Sequence, residues 1–388
     1  MIPADPIAAV THRDPYPYYR ALAQARPFHY DPALKLWVAA SAAAVAEVLC
    51  HPDARVRPAA QPVPPALAGS AAGDLFGRLI RMNDGAAQAA LKAIVMRRLA
   101  EVDLGIVRRR AQALASSLPR MTDDDAHEAM RWMFTLPVLA IADVLGLPLA
   151  RDEAGHVNTR VAGFVATFAA AMSPLAARID VEAGVVAAQW LTRCVEKAAP
   201  AAPEDGLLRR LSQDAALAGI AHDVLVANAV GLMIQACEAT AGLIGNTLVS
   251  LGREPLSDTD AAGDADAPGM LGARVAQVAR LDLPVQNTRR FMAADAQLCG
   301  QQVHAHDAVL VLLAAAAHDP AAGASSPQRP WTFGTGPHGC PGDALAQVLA
   351  ACTVQALLAR DVRPERLVHD VRYRPSVNAR IPQFSLQP

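Results

Sequence analysis

Apolar and small residues recur at helical spacing over most of the chain, and short polar or Pro/Gly-rich breaks separate the segments. This pattern predicts an amphipathic helix from Pro15 to about Arg26 and a second helix from Ser41 to Cys50. From Asp74 to about Ala221 it predicts mainly helical structure with short breaks. The stretch 57–73 is rich in proline, glycine and alanine and predicts a long loop.

Two later segments are strongly apolar. The sequence TLPVLAIADVLGLP predicts one apolar helix that ends near Gly146. The segment from Asp223 to about Gly252 contains one charged residue after its start, Glu238, and predicts one long helix through the centre of the fold. The polar stretch 253–269 that follows predicts a connector.

Extended structure is predicted in only a few short places. Trp37–Ala40, 295–303 and 308–313 have the character of strands, and the terminal YRPSVNARIPQFSL predicts a small hairpin. A helix is predicted from Asp343 to Arg360. The fold class is therefore mainly α with a minor β portion, and we expect residues 1–388 to form a single domain.

Composition and charge argue against several classes of function and location. Hydrophobic residues make up 53% of the chain and aromatic residues 4%, while 35 Lys and Arg face 37 Asp and Glu, for a net charge of −2. Because this balance shows no basic excess, we expect no nucleic-acid binding. The N-terminus lacks the apolar region of a signal peptide. The uncharged stretch Val161–Ala177 is rich in small residues and indicates a buried or cleft-lining helix. We therefore expect a cytoplasmic protein that does not bind membranes.

Of the six cysteines, five show no sign of a metal-binding or redox role, and one, Cys340, is a candidate metal ligand. The six lie far apart, at positions 50, 194, 237, 299, 340 and 352, which argues against zinc sites, iron–sulfur clusters and a disulfide scaffold. Cys340, however, lies in the loop FGTGPHGCPG just before a predicted helix. The helix N-terminus favours negative charge, and the glycines allow backbone amides to point at the sulfur. His338 and Arg290 could supply cations for acidic groups of a cofactor.

The ten residues FGTGPHGCPG resemble the haem-ligand loop FGxGxHxCxG of the cytochrome P-450 haem-thiolate monooxygenases, and every fixed position is present. Further segments resemble bacterial members of this family in the same order, from about residue 14 to 388. They include TLPVLAIADVLGLP, QACEATAGLIGNTLVSL, LDLPVQNTRRFMAADAQLCG and VLVLLAAAAHDP. The resemblance implies the cytochrome P-450 fold, a triangular helical domain around a buried haem b (iron protoporphyrin IX).

The resemblance also implies roles for individual residues. Cys340 would be the proximal thiolate ligand of the iron, a ligand that favours oxygen activation. Phe333 would pack against the haem, and Arg290 and His338 would bind its propionates. The remaining residues implied in cofactor binding are the loop glycines and the two residues aligned with the family's C-helix His and Arg: Gly334, Gly336, Gly342, Gln88 and Lys92.

Several positions depart from the family pattern. The distal helix of the family usually carries an acid followed by threonine, whereas here Glu238 is followed by Ala239 and then Thr240. In one continuous helix, a shift of one residue rotates a side chain by about 100°, so Thr240 should not point to the same spot. Thr240, a substrate hydroxyl or ordered water could replace the missing group, or the chemistry needs less proton delivery. Glu238 could relay protons or be a salt-bridged buried acid.

Two further departures concern the proximal side. The family's Glu-x-x-Arg is represented by Gln277–Arg280, which cannot form the usual ion pair. The stretch between Pro320 and Phe333 is also shorter than the family's meander. The departures permit either a specialised enzyme with altered chemistry or drift toward a haem-binding protein with little activity. The intact ligand loop favours the enzyme.

The resemblance implies an oxygenase that hydroxylates or otherwise oxidises a small organic molecule, and we expect a role in natural-product biosynthesis. An atypical oxidation, such as coupling, ring formation or nitrogen oxidation, is the alternative. Because the chain has no flavin, nicotinamide or iron–sulfur motif, electrons are expected from a separate ferredoxin and ferredoxin reductase, and we expect a monomer. The candidate substrate contacts are mostly small or aliphatic with a few polar groups: Leu232, Gln235, Val285, Gln286, Asn287, Val377 and Asn378.

Overall fold

The structure is a computed structural model that describes residues 2–204, 206–255, 269–325 and 329–385. Most of the predicted connector at 253–269 lies outside the described residues. Helices and short 3₁₀ turns account for most of the described residues, and strands for a minor part, so the predicted fold class is confirmed.

Fifteen α-helices occur in the described ranges. They are α1 Tyr16–Ala25, α2 Ala42–Cys50, α3 Ala71–Arg78, α4 Ala86–Ala100, α5 Leu104–Ser116, α6 Asp125–Leu145, α7 Arg160–Ala171, α8 Arg178–Ala198, α9 Leu207–Leu217, α10 His222–Gln235, α11 Glu238–Arg253, α12 Met270–Leu281, α13 Leu313–Ala317, α14 Asp343–Leu358 and α15 Pro364–Leu367. Turns of 3₁₀ helix lie between them, and Ile80–Met82, Trp331–Phe333 and Gly336–His338 matter for the site.

The strands are short and belong to one mixed sheet and two hairpins. They are β1 Phe28–Asp31, β2 Leu36–Ala39, β3 Ala54–Arg55, β4 Thr288–Met292, β5 Ala296–Leu298, β6 Gln301–Val303, β7 Ala308–Val311, β8 Val371–Tyr373 and β9 Pro382–Phe384. The sheet has the order β1-β2-β7-β4-β3, in which only β2 and β7 are parallel. β5 pairs with β6, and β8 pairs with β9.

Local chemistry explains where several helices begin and end. The Ser41 hydroxyl accepts a hydrogen bond from the Ala44 N–H at the start of α2, and the Asp103 carboxylate accepts one from the Ile106 N–H at the start of α5. Helix α6 ends, as predicted, at Gly146, whose φ of 84° is a left-handed conformation that glycine adopts without strain.

The main hydrophobic cluster lies where α6, α10, α11 and α14 pack together, and most residues of α10 and α11 are buried. Among the described residues, one helical stretch, His222–Arg253 counted across its break, is long and apolar enough to cross a membrane. However, 72% of its most apolar window is buried inside the protein, as expected of a core helix.

The prediction of one continuous helix from Asp223 to Gly252 is wrong. Helix α10 ends at Gln235 and α11 begins at Glu238, because Cys237 has a ψ of −85° and leaves the helical conformation. The Cys237 N–H then bonds to the Ile234 carbonyl, three residues back, at 3.1 Å. The break lies beside the candidate site and changes which side chains face it.

Candidate haem-thiolate site

The loop that carries Cys340 is closed at its base by its own backbone. The Cys340 N–H donates to the Phe333 carbonyl at 2.7 Å, and Phe333 itself is buried in the main cluster. Gly336 has a φ of 65°, and a Cβ there would lie 2.9 Å from the Leu49 carbonyl oxygen in α2. Only glycine fits at this position, so the loop is held against α2.

Two cationic side chains donate hydrogen bonds to carbonyl groups of this loop. The Lys92 ammonium of α4 donates to the Gly339 carbonyl at 2.7 Å and to the Pro337 carbonyl. The Arg329 guanidinium donates to the Cys340 carbonyl and forms an ion pair with Asp343, the first residue of α14, at 2.9 Å. The position of the sulfur is therefore fixed from both sides by charged hydrogen bonds.

The Cys340 sulfur accepts a hydrogen bond from the Gly342 N–H at 3.4 Å. Burial raises the pKa of the thiol, whereas this N–H and the nearby Arg329 and Lys92 cations act to lower it. Coordination by a metal would convert this thiol to a thiolate, because it removes the proton outright. The N–H that points at the sulfur is suited to a thiolate ligand.

A second cluster of polar groups lies beside the loop and contains Arg290, His338 and Asp84. The His338 Nε2 lies 2.9 Å from an Asp84 oxygen, and the Val56 N–H donates to the other oxygen at 3.1 Å. Although burial opposes it, these hydrogen bonds hold the pKa of Asp84 below its usual value. Burial lowers the pKa of Arg290, whose side chain on β4 is 4% exposed.

Arg290 has unused hydrogen-bonding capacity. Its Nη1 donates to the Thr288 hydroxyl and the Arg289 carbonyl, but its buried Nε has no partner among the described residues. Gln88, predicted to take part in cofactor binding together with Lys92, donates to the Pro337 carbonyl at 3.3 Å and is 5% exposed. Both residues therefore contact the ligand loop directly.

The Cys340 loop forms one wall of a cavity of about 70 Å³. Its other walls come from the ends of α4 and α9, from α6, from α14 and from the break between α10 and α11. Gln235 and Thr240 line it together with Cys340, and the remaining lining is largely aliphatic. The lining residues are Leu99, Ile141, Val144, Leu207, Leu232, Gln235, Ala236, Thr240, Cys340, Pro341, Gly342, Leu345, Ala346 and Leu349. We call this space the Cys340 cavity.

Thr240 lines the Cys340 cavity, and Ala239 does not. The break after Gln235 interrupts the continuous helix on which the expectation for Thr240 rested, so its position relative to the family's threonine stays a prediction. Thr240 is 3% exposed, and among the described residues its hydroxyl has no hydrogen-bond partner. By contrast, Thr247 in the same helix donates to the Leu243 carbonyl, four residues back, at 2.7 Å. The Thr240 hydroxyl is thus available to whatever occupies the cavity.

Glu238 faces a different cavity, which opens on the other side of α11. Arg131, Phe134 and Arg374 line that cavity with it. No hydrogen bond or ion pair of Glu238 occurs within the described part of the chain, so the interpretation of Glu238 as a salt-bridged buried acid is not supported. Arg374 stacks on Phe134, with its guanidinium carbon 4.8 Å from the ring centre.

The candidate substrate residues fall into two groups. Leu232 and Gln235 line the Cys340 cavity, and Gln235 donates to the Gly231 carbonyl at 3.2 Å. The other five lie on two chain segments, 285–287 and 377–378, which are joined by hydrogen bonds. In this group, the Gln286 N–H donates to the Asn378 carbonyl at 2.8 Å and the Asn287 side chain donates to the Val377 carbonyl at 2.9 Å.

The Val285 backbone forms an antiparallel bridge with Ala379, which joins the same two segments. Gln286 and Asn287 are buried, and Asn378 is exposed. These hydrogen bonds occupy polar groups that the sequence proposed for substrate binding. Of the five residues in this group, only Gln286 has a buried side-chain atom, its Oε1, without a partner among the described residues.

The sequence pattern did not reveal the contacts of three further charged residues. Asp84 pairs with His338, and Arg329 holds the Cys340 carbonyl. Arg81, in the turn Ile80–Met82, extends a guanidinium toward Met172 at the end of α7. The only signal for Arg81 in the sequence is a single cation among apolar neighbours, in LIRM.

The chain was compared with known proteins at the levels of family profile, sequence and structure. No family profile matches it. A biotin biosynthesis cytochrome P450 from Bacillus subtilis is 24% identical over 250 residues, which cover 62% of each chain. The cytochrome P450 monooxygenase PikC from Streptomyces venezuelae is 33% identical over 267 residues, covering 63% of this chain and 59% of PikC. The matched part thus spans about three fifths of these relatives.

The structural similarity extends over the whole chain. The epothilone B-bound cytochrome P450epoK superposes with a TM-score of 0.77 at 19% identity, covering 100% of both chains. At this identity the similarity establishes the fold. The chain has the cytochrome P450 fold and is related in sequence to bacterial cytochrome P450s, which confirms the resemblance inferred from the ligand loop.

Proposed function

We propose that this chain, a member of the cytochrome P450 group by fold and sequence, is a haem-thiolate oxygenase that oxidises a small organic molecule. The observation that carries the proposal is the Cys340 cavity. One wall presents a cysteine sulfur with a backbone N–H aimed at it, and another presents the unpaired hydroxyl of Thr240.

Haem is the cofactor of this family, and the residues present fit it. The sulfur of Cys340 would bind the iron, and the largely aliphatic lining suits the faces of a porphyrin. The acidic edge of the haem would lie at His338 and at Arg290, whose buried Nε has no partner in the part of the chain that the structure describes. Bound haem supplies the activation of oxygen, and the chain supplies orientation, protons and exclusion of water.

Thr240 takes the proton-handling position in this proposal. Its hydroxyl has no partner in its own helix, so it can donate to or accept from a group in the cavity. Glu238, two residues earlier, faces the open cavity beside Arg374 and can exchange protons with solvent there. Because they are two residues apart in α11, the two side chains point to different sides of that helix, and in this proposal they serve the two ends of one proton path.

The rest of the proposal follows from the relatives and the composition. We propose that the 388 residues form one haem domain in the cytoplasm, as a monomer, with electrons from a ferredoxin and its reductase. PikC is a monooxygenase, which supports the oxygenase over a haem-binding protein without turnover. We propose a substrate from natural-product biosynthesis.

Turnover in an atmosphere of labelled dioxygen tests this function. The haem-loaded protein is supplied with a surrogate ferredoxin, its reductase and NADPH, and is offered a panel of fatty acids. We expect a product that contains one oxygen atom from dioxygen. Consumption of NADPH with no oxidised product, with every acid and with two different ferredoxins, would contradict the oxygenase and favour a haem-binding protein. The control is the Cys340→Ser variant, which should yield no labelled product.

A further inference from the structure

The cavity that Glu238 faces has a volume of about 330 Å³ and lies between α6, α7, the start of α11 and the end of β8. Volumes of this order are typical of sites for small molecules. We call this space the Glu238 cavity. None of its lining residues lines the Cys340 cavity: Met130, Arg131, Phe134, Thr135, Ala166, Cys237, Glu238 and Arg374. The chain therefore has a second space, separate from the one that the Cys340 sulfur lines.

The Glu238 cavity contains two opposite charges that do not pair with each other. Glu238, the first residue of α11, makes no hydrogen bond or ion pair within the described residues. The same is true, among those residues, of the Arg374 side chain, whose guanidinium carbon lies 4.8 Å from the centre of the Phe134 ring. Because Phe134 also lines the cavity, this contact places the Arg374 guanidinium at the cavity wall.

The thiol of Cys237 responds to both of these charges. Burial raises its pKa to about 12, the negative charge of Glu238 adds to the rise, and the positive charge of Arg374 opposes it. This agrees with the lining of the cavity, in which Cys237 lies beside both groups. The cysteine remains a neutral thiol at neutral pH and adds a small apolar surface to the wall.

The second guanidinium of the cavity already has its partners. Arg131 donates to the Glu128 carboxylate at 2.8 Å and to the Pro119 carbonyl at 2.7 Å. Its charge is therefore balanced within α6. The charges that remain for a ligand are one positive, on Arg374, and one negative, on Glu238.

The rest of the lining is apolar or already hydrogen-bonded. Met130, Phe134 and Ala166 contribute apolar side chains. The Thr135 hydroxyl donates to the Arg131 carbonyl, four residues back in α6, at 2.8 Å. A molecule that fills this cavity therefore meets two charges of opposite sign on an otherwise mostly apolar surface.

We propose that the Glu238 cavity is a second ligand site and that its ligand is a small zwitterion, a free amino acid with an apolar side chain. The carboxylate of the ligand would pair with Arg374 and its ammonium group with Glu238, since hydrogen bonds between charged groups are the strong ones. The apolar side chain would lie against Met130 and Ala166. The inference goes beyond the proposed oxygenase function, because it adds a site outside the Cys340 cavity.

Ligands of other charge types fit these two groups less well. A simple anion would be attracted by Arg374 but repelled by Glu238, and a simple cation would meet the reverse arrangement. A neutral apolar ligand would remove both charges from water and give them no partner, which is costly. A zwitterion satisfies both charges at once.

Isothermal titration calorimetry of the haem-loaded protein tests the site with matched compounds. L-Leucine carries both charges, L-leucinamide lacks the carboxylate, and N-acetyl-L-leucine lacks the ammonium group. L-Methionine and L-phenylalanine, with the same derivatives, vary the side chain. We expect at least one amino acid to bind about 10-fold or more tightly than either derivative, because each derivative loses one charged hydrogen bond. The Soret band should not shift, because the ligand lies outside the Cys340 cavity.

The variants assign each charge of the ligand to one residue. Glu238→Gln should abolish the preference for the amino acid over its N-acetyl derivative and keep the preference over the amide. Arg374→Gln should do the reverse, and Arg374→Lys should retain part of the preference over the amide. Because each variant keeps one preference, the pattern also shows that the variant is folded.

Arg372→Gln is the matched control for the arginine variants. Arg372 lies on β8, two residues before Arg374, but it is exposed and pairs with Asp370 at 3.4 Å. Arg372 does not line the Glu238 cavity. The control should therefore leave both preferences unchanged.

Several results would overturn the assignment. They are the absence of binding by every amino acid, equal binding of each amino acid and its derivatives, and retention of both preferences in Glu238→Gln and Arg374→Gln. A Soret shift on binding would also overturn it, because the ligand would then lie at the haem. Failure of the proposed oxygenase function would be seen separately, as absence of the thiolate-type carbon monoxide band in the parent protein.

Discussion

Replacement of Thr240 by valine separates function from stability, because product formation should fall while the free energy of unfolding stays nearly unchanged. Valine has nearly the same shape and removes only the hydroxyl. Thr240 is 3% exposed, and its hydroxyl lines the Cys340 cavity and has no hydrogen-bond partner among the described residues. Because no hydrogen bond within the protein is lost, Thr240→Val should change the free energy of unfolding by less than about 0.5 kcal/mol.

Thr247 is the matched control in the same helix. It is fully buried, and its hydroxyl donates to the Leu243 carbonyl at 2.7 Å. Thr247→Val removes a hydrogen bond and leaves the carbonyl to its helix partner, so it should destabilise by about 1 kcal/mol. The difference between the two variants, about 1 kcal/mol, follows from one contact that Thr247 has and Thr240 lacks.

The assay combines thermal unfolding of the haem-loaded variants with product formation per NADPH oxidised. The probe is the fatty acid that gives the largest Soret shift. A positioned proton-transfer group contributes about 10²–10⁴-fold, so Thr240→Val should lower product yield about 100-fold, whereas Thr247→Val should leave it unchanged. If Thr240→Val destabilises the protein as Thr247→Val does and keeps full product yield, the assignment of the hydroxyl to proton handling is refuted.

Two further predictions concern stability. Arg380→Met should lower the unfolding free energy by about 3–5 kcal/mol in urea denaturation, because it leaves Asp282 without its buried partner, whereas Arg372→Met at an exposed pair should change it by less than about 1 kcal/mol. Hydrogen bonds from Arg98 hold the pKa of Asp214 at about 2, below its value in the unfolded chain. The ionised Asp214 therefore stabilises the folded protein above about pH 4, and this contribution is lost as the pH falls through about 2. Asp214→Asn should remove that part of the acid-induced loss, and an unchanged acid slope would contradict it.

The ligand loop could be predicted from the sequence because its chemistry is local. Ten consecutive residues contain the thiolate, the turn at Gly336 and the N–H of Gly342, and each serves the geometry seen in the structure. The apolar helices could also be predicted, since α10 and α11 are apolar on every face and must be buried.

The break at Ala236–Cys237 could not be predicted, because neither residue is a helix breaker and the segment contains no proline. The strands β1, β3 and β4 were also missed. Each has two to five residues, and β4 contains two arginines, so strand pairing and not the local pattern decides their conformation.

The contacts of Arg81 could not be predicted from the sequence either. They depend on where α7 lies, and no local feature of LIRMN reveals that. The same holds for Arg329, whose carbonyl partner lies eleven residues away in sequence. Charged residues that act through tertiary contacts need the fold before they can be interpreted.

The most direct test of the central claim, that Cys340 binds a haem iron as a thiolate, is the absorption spectrum of the reduced protein under carbon monoxide. The account predicts a Soret band at the red-shifted position typical of a thiolate ligand, its loss in Cys340→Ser, and its retention in the control Cys352→Ser, which removes another buried thiol. A histidine-type band in the parent protein, or a thiolate-type band that survives in Cys340→Ser, would contradict the account.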